Sequence, residues 1–265
     1  MFPNVFEMKT SLLIQLLTNC GFQRTTVPLE EPIVIHGVPG CGKSTLIKTL
    51  ITHQSVAAYT LGIPYGKTLA HPGIQRPTDT FDNQEVETRI LDEYQLGLKA
   101  DLEPFNILIG DPFQGHSTYR AHFIKTFSHR VPRPICEFLN SLGYDIQGDK
   151  EGSLKFLPVF QHYSKGPKGV IIHLGPISCQ LTQTYRVPSK TSSEVQGLEF
   201  KEVTLIFHSS ELPGNSEAFF IAATRASECL NIITDQAPPQ LSTQTAHNHT
   251  YPSSTNEFYP STGQQ

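Results

Sequence analysis

Residues 37–44 read Gly-Val-Pro-Gly-Cys-Gly-Lys-Ser, directly behind the apolar run Pro32-Ile33-Val34-Ile35. A G-x-x-x-x-G-K-S turn delivered by such a run restricts the fold more than any other feature of the chain. A buried strand has to end at the turn and a helix has to begin near Lys43, so that backbone N–H groups crowd one spot at a helix N-terminus. That spot suits a polyphosphate. Gly37, Gly40 and Gly42 let the backbone come close, Lys43 reaches toward β- and γ-phosphates, Ser44 offers a hydroxyl to Mg²⁺, and Thr45 continues the helix start. The expected ligand is a nucleoside triphosphate with Mg²⁺.

The remaining pattern is consistent with a strand–helix alternation. Val5, Leu12, Leu13, Leu16 and Leu17 recur at helical spacing before Gly21, which predicts a helix over residues 4–20. Short apolar runs follow at 33–35, 56–59, 90–91, 107–109, 170–174, 203–207 and 230–233, separated by turn or helical segments. That order predicts an α/β fold with a parallel sheet and crossover helices. Val131-Pro132-Arg133-Pro134 marks a seam between two α/β halves. The second, at roughly a hundred residues, is near the lower limit for an independent core and is expected to lean on its neighbour. After Asp235 the chain turns to Pro, Ser, Thr, Gln and Asn, a composition expected to stay disordered. The expected organisation is a helix within 1–24, units over 25–131 and 132–235, and a tail over 236–265.

The five cysteines lack C-x-x-C spacing, which predicts reduced thiols and argues against a zinc framework. No run approaches 18 apolar residues, and neither a secretion signal nor a membrane span is expected. The net charge of −4 is unevenly distributed. No acid occurs between Asp111 and Glu137, where Arg120, Lys125, Arg130 and Arg133 accompany His116, His122 and His129. Acids are again absent from Gly152 to Ser193, which holds Lys155, Lys165, Lys168, Arg186 and Lys190. Either the cations line a channel for a phosphate backbone, or they scatter over a solvated surface once folded.

Two further segments carry chemistry. Ile90-Leu91-Asp92-Glu93 ends an apolar run in carboxylates, where Asp92 can serve as the second Mg²⁺ contact and Glu93 can polarise an attacking water. Ile107-Leu108-Ile109-Gly110-Asp111-Pro112-Phe113-Gln114 repeats the pattern, and Gln114 is long enough to sense a γ-phosphate. Cys41 and His36 are read as packing residues beside the loop.

In this order and spacing the three segments resemble motifs I, II and III of superfamily 1 helicases, in particular the small helicases of positive-strand RNA viruses. Ser128-His129-Arg130 resembles motif IV. Residues 192–200, with Ser193, Gln196 and Gly197, followed by Val203-Thr204-Leu205, resemble motif V. Ala222-Ala223-Thr224-Arg225 resembles motif VI. Motif Ia is weaker, with only Tyr59-Thr60-Leu61-Gly62-Ile63-Pro64 in its place. The resemblance implies two RecA-like lobes with ATP between them. Lys43, Asp92, Glu93 and Gln114 would act from one side, and Arg130 and Arg225 would reach in from the second half. Ser193, Gln196, Gly197 and Thr224 would couple the site to RNA.

The compact format is similar to the first triple gene block proteins of plant viruses, of the potexvirus and carlavirus type. That family implies an RNA-stimulated NTPase that binds single-stranded viral RNA, aids its passage through plasmodesmata and suppresses host RNA silencing from the host cytoplasm. It further implies self-association and contacts with coat protein, small membrane-bound movement proteins and the silencing machinery, with no membrane insertion of its own. The alternatives are an interaction protein whose hydrolysis is incidental, a replication-associated RNA helicase, and a small-molecule phosphotransferase. The last has no need of the 192–200 and 222–225 segments.

Overall fold

A computed structural model describes residues 5–53, 55–62, 74–77, 86–115, 119–157 and 167–236. Residues 63 and 64 of the motif Ia segment, His116, Lys165 and the tail from 237 lie outside them.

Helix α1 (Val5–Asn19) precedes strands β1 (Gln23–Arg24) and β2 (Ile33–Gly37). Helix α2 (Lys43–Leu50) follows, then β3 (Val56–Thr60), β4 (Ile74–Gln75), β5 (Thr88–Asp92), α3 (Lys99–Leu102), β6 (Ile107–Gly110) and β7 (Phe123–Lys125). These strands form one seven-stranded sheet in the order β1-β7-β2-β6-β5-β3-β4. All of its pairings are parallel except that of the edge strand β1 with β7. Every residue of β2 and β6 is buried, which is why both read as unbroken apolar runs without alternation.

A short parallel pair, β8 (Phe127–Ser128) with β9 (Gln147–Gly148), flanks helix α4 (Arg133–Ser141). Then come β10 (Ser153–Leu157), β11 (Val170–His173), α5 (Pro176–Thr184), α6 (Ser192–Val195), β12 (Phe200–Ile206), α7 (Ser216–Ala223) and β13 (Ala226–Ile233). Strands β10-β13-β12-β11 make a second, wholly parallel sheet. The fold is thus α/β with parallel sheets, as expected from the alternating pattern.

One apolar cluster runs through both sheets. It joins Leu17, Ile35 and Leu46 around the first to Val131, Phe219, Phe220 and Leu230 around the second. At about 1.5–3 kcal/mol for each large apolar side chain removed from water, this shared cluster is the main cohesive force between the halves. The smaller sheet leans on its neighbour. Among the described residues all five cysteines are free thiols, and no helix is long and apolar enough to cross a membrane.

Candidate functional site

In an open parallel sheet, ligands bind outside the carboxyl ends of the strands, and here three of those ends are adjacent. His36 on β2 is level with Gly110 on β6, and Asp92 on β5 is level with Ile109. The 37–44 loop, Asp92-Glu93 and Asp111–Gln114 therefore open onto one place. The loop turns at Gly40 (φ 75°) and Gly42 (φ 104°), and Gly42 is the residue before α2. These are backbone conformations that side chains with a Cβ rarely adopt.

Lys43 is buried, and its ammonium donates to the carbonyls of Gly37 at 2.7 Å and Val38 at 3.3 Å. Burial opposes its charge, but Cys41 and then the carboxylates of Asp111, Glu93 and Asp92 outweigh it and hold its pKa above the ordinary value. Asp111 is 1 % exposed and braces the loop after β6. Its Oδ1 accepts the Phe113 N–H at 3.0 Å and its Oδ2 accepts Gln114 Nε2 at 2.7 Å. Burial lifts its pKa to about 6, against the pull of Lys43 and these hydrogen bonds. Glu93 adopts a left-handed backbone (φ 56°), and its Oε2 accepts Gln95 Nε2 at 2.5 Å.

Two arginines close the site. Arg130 stands on the segment that connects the two sheets, a difference from the expected reach out of the second half. Its Nη2 donates to the Thr224 carbonyl at 3.5 Å, and its Nη1 lies 3.8 Å from Glu199 Oε2. Arg225 precedes β13, where the N-terminal end of the second sheet abuts the first. It is 2 % exposed. Its Nε donates to the Ile221 carbonyl at 3.0 Å, Nη1 to the Leu198 carbonyl at 3.2 Å and Nη2 to Thr224 Oγ1 at 3.1 Å. Burial, then repulsion from Arg130, lowers its pKa to about 9, which leaves it charged at neutral pH. Glu93 and Asp111 act electrostatically on both guanidinium groups. Loop, carboxylates and arginines thus lie near enough for their charges to act on one another.

Ser128 fastens the parts together. Its hydroxyl donates to the Pro39 carbonyl at 2.7 Å and accepts the N–H groups of Arg130 at 3.2 Å and Val131 at 3.0 Å. His129 N–H donates to the Gly40 carbonyl at 3.0 Å. Beneath the loop, neutral His36 shares a 2.6 Å hydrogen bond with the Tyr94 hydroxyl. Burial, followed by the charges of Lys43 and His122, lowers the His36 pKa to about 3.

The second segment of expected residues lies farther out. Thr191 and Glu194 form a reciprocal cap at the start of α6, with Thr191 N–H donating to Glu194 Oε2 at 2.7 Å. The turn after it carries Gln196 and Gly197 (φ 77°). Ser193 and Gln196 line a cavity of about 420 Å³ between the sheets, together with Phe113, Tyr144 and Asn215. Thr224 does not reach it. It is fully buried, and its hydroxyl donates to the Phe220 carbonyl at 2.9 Å while bracing Arg225.

The cations between residues 120 and 133 do not gather into one channel. Lys125 donates to the Cys20 carbonyl at 2.8 Å and lies over the Phe22 ring. Arg133 pairs with Glu137 on α4, and His122 accepts the Val34 N–H at 2.9 Å. Successive strand residues face opposite ways, so a stretch without acids need not become a basic surface. Sequence reasoning also missed Gln95, Asp111, Ser128 and Glu199. Asp111, Ser128 and Glu199 lie in the quoted segments, but only contact reveals what they hold.

Ser44 and Asp92 offer hard oxygen donors. A Mg²⁺ that keeps phosphates and water in its shell needs only one or two protein oxygens. Among the described residues no group of three or more His, Cys, Asp or Glu could hold a metal without such help. The donor set therefore fits Mg²⁺ bound with a polyphosphate.

Residues 33–234 match the family model of the viral superfamily 1 RNA helicase core domain. The chain is 36% identical over 227 residues to movement and silencing protein TGBp1 of Apple stem pitting virus (isolate PA66), covering 84% of this chain and 99% of that protein. It is 33% identical over 222 residues to the TGBp1 of Potato virus X (strain X3), covering 81% and 95%. In fold it is similar to the arterivirus nonstructural protein 10 helicase, solved in complex with DNA, with a TM-score of 0.57 at 20% identity over 87% of this chain. It spans 64% of that helicase's length. The chain therefore belongs to the viral superfamily 1 RNA helicase core family and, within it, to the TGBp1 movement and silencing proteins.

Proposed function

We propose that this protein is an RNA-stimulated NTPase that binds ATP·Mg²⁺ between two lobes, residues 25–131 and 132–235, and acts on single-stranded viral RNA. The observation that carries the reading is the convergence of Lys43, Asp111 and Glu93 with Arg130 and Arg225 around one glycine loop. In this reading Gly37, Gly40, Gly42, Lys43, Ser44 and Thr45 bind the polyphosphate, and Ser44 and Asp92 hold Mg²⁺, which supplies charge neutralisation when bound. Glu93 orients water, Gln114 senses the terminal phosphate, and the two arginines meet its developing charge. RNA lies across both lobes near Ser193, Gln196 and Gly197, held mainly by phosphate and stacking contacts.

The relatives' names support a role in movement and silencing, which we propose to be passage of viral RNA through plasmodesmata and suppression of silencing from the host cytoplasm. Coat protein, small membrane-bound movement proteins, the silencing machinery and further copies of the chain are the proposed partners. Purified full-length protein should hydrolyse ATP, and poly(U) should raise the rate. Lys43→Ala should abolish hydrolysis and genome movement. No hydrolysis above the Lys43→Ala background, with or without poly(U), would refute the NTPase reading. Silencing suppression that survives Lys43→Ala would assign that activity to partner binding.

A further inference from the structure

The chemistry proposed for the site does not use an aromatic contact that crosses the interface between the two sheets. Phe113 immediately precedes Gln114 and is 8 % exposed. Its ring meets Tyr144 edge-on at 5.7 Å and Phe220 at 5.1 Å, and Tyr144 lies 4.9 Å from Phe220. The three rings come from the loop after β6, the turn after α4, and α7.

Each ring is tied at its far end to something specific. The Phe113 N–H donates to Asp111, whose other oxygen holds Gln114. The Tyr144 hydroxyl donates to the Ser216 carbonyl in the first turn of α7, at 2.8 Å. The Phe220 carbonyl accepts both the N–H and the hydroxyl of Thr224, and Thr224 Oγ1 accepts from Arg225. Arg225 spends its Nε and Nη1 on the carbonyls of Ile221 and Leu198. Its guanidinium is therefore placed by where α7 lies, not by its own side-chain freedom. Where α7 lies against the first sheet depends on the three rings.

We infer that Phe113 is a positioning residue that keeps the arginine-bearing helix α7 in register with the Asp111–Gln114 pair, so that Arg225 faces the terminal phosphoryl group. The inference rests on the NTPase reading of the same site. Packing that only filled space would, when truncated, lower the melting temperature and leave turnover alone. Packing that sets register changes turnover, because a displacement of about 1 Å can cost about a hundred-fold in rate.

The test uses the full chain, with melting measured in ADP and in ADP plus aluminium fluoride, a mimic of the phosphoryl group in transfer. In the wild type, ADP raises the melting temperature and aluminium fluoride adds a further increment. Phe113→Ala should keep the ADP increment, lose most of the fluoride increment, and lower kcat by about ten- to a hundred-fold with KM for ATP changed by no more than about two-fold. Phe113→Leu restores most of the apolar volume and should recover most of kcat. Should Phe113→Ala not fold, Phe113→Val is a smaller truncation of the same ring and should lower kcat in the same pattern. An undiminished fluoride increment and kcat in the truncated variant overturn the inference, as does a loss confined to KM. A wild type that shows no ADP increment overturns the NTPase reading and this inference with it. That outcome is distinct from an ADP increment that persists while the fluoride increment fails to depend on Phe113.

Discussion

Gly40 offers a direct measurement of how closely the phosphate loop is packed beneath the motif IV segment. Its φ of 75° disfavours any residue with a Cβ, and a methyl group added there would overlap Arg130 Cβ. The methyl would also stand 2.9 Å from Ser128 Oγ and 3.1 Å from the Arg130 backbone nitrogen, neither of which is the free end of a flexible side chain. Gly197 supplies the matched control, because its φ is 77° and nothing lies within 4 Å of the corresponding methyl position. The left-handed backbone costs roughly 1–2 kcal/mol in either alanine variant. Overpacking adds about 1–3 kcal/mol to Gly40→Ala alone. Total losses of about 2–5 kcal/mol for Gly40→Ala and about 1–2 kcal/mol for Gly197→Ala are therefore expected. Calorimetric melting of the full chain resolves the difference, since 1 kcal/mol moves the midpoint of a chain this size by about 2–4 °C. Equal losses at the two glycines would refute the claim that the loop is held against Arg130.

Ser128→Ala removes three hydrogen bonds, two of them buried, and should cost about 3 kcal/mol. Ser141→Ala, whose hydroxyl makes a single bond to the Phe138 carbonyl, should cost about 1 kcal/mol or less by urea denaturation. Arg225→Ala should lower ATP turnover by about 10³-fold or more while ADP still binds, as read by steady-state kinetics and ADP-dependent melting. The pH dependence has two opposing parts. His36 is held near a pKa of about 3, so its contribution is complete above the unfolded value and is lost as pH falls below about 6.5, by about 1 kcal/mol at pH 5.5. Asp111, raised to about 6, works in reverse: burial of its charge weighs on the fold above that pH and is relieved on acidification, by about 1 kcal/mol at pH 5.5. Melting between pH 7.5 and 5.5 should therefore show His36→Asn gaining stability relative to wild type on acidification and Asp111→Asn losing it. Parallel curves for all three proteins would contradict both assignments.

Much of this fold was legible because its signals are local. The central strands β2 and β6 are buried on both faces and appear as short unbroken apolar runs, and β5, β11, β12 and β13 still show as apolar-rich stretches although Thr204 and Asn231 interrupt two of them. The phosphate loop announces its strand and helix because only glycine tolerates the turns at positions 40 and 42. The two-residue strands β1, β4, β8 and β9 were not legible, since so short a segment has no period and forms only where a neighbouring edge receives it.

The amino-acid order by itself settled the class of fold and the succession of motifs, because each rests on residue types at fixed separations along one segment. Which side chains meet was decided only by the tertiary structure. Thr224 looked like a residue for the RNA side and is buried beneath Arg225, while Lys125, in the middle of a basic run, is spent on the Cys20 carbonyl just after α1. Ser128 ties the loop to Arg130 across 89 residues of chain. Such relations depend on how two sheets abut through a shared apolar core, and that contact is made by residues far apart in sequence that no local pattern can pair.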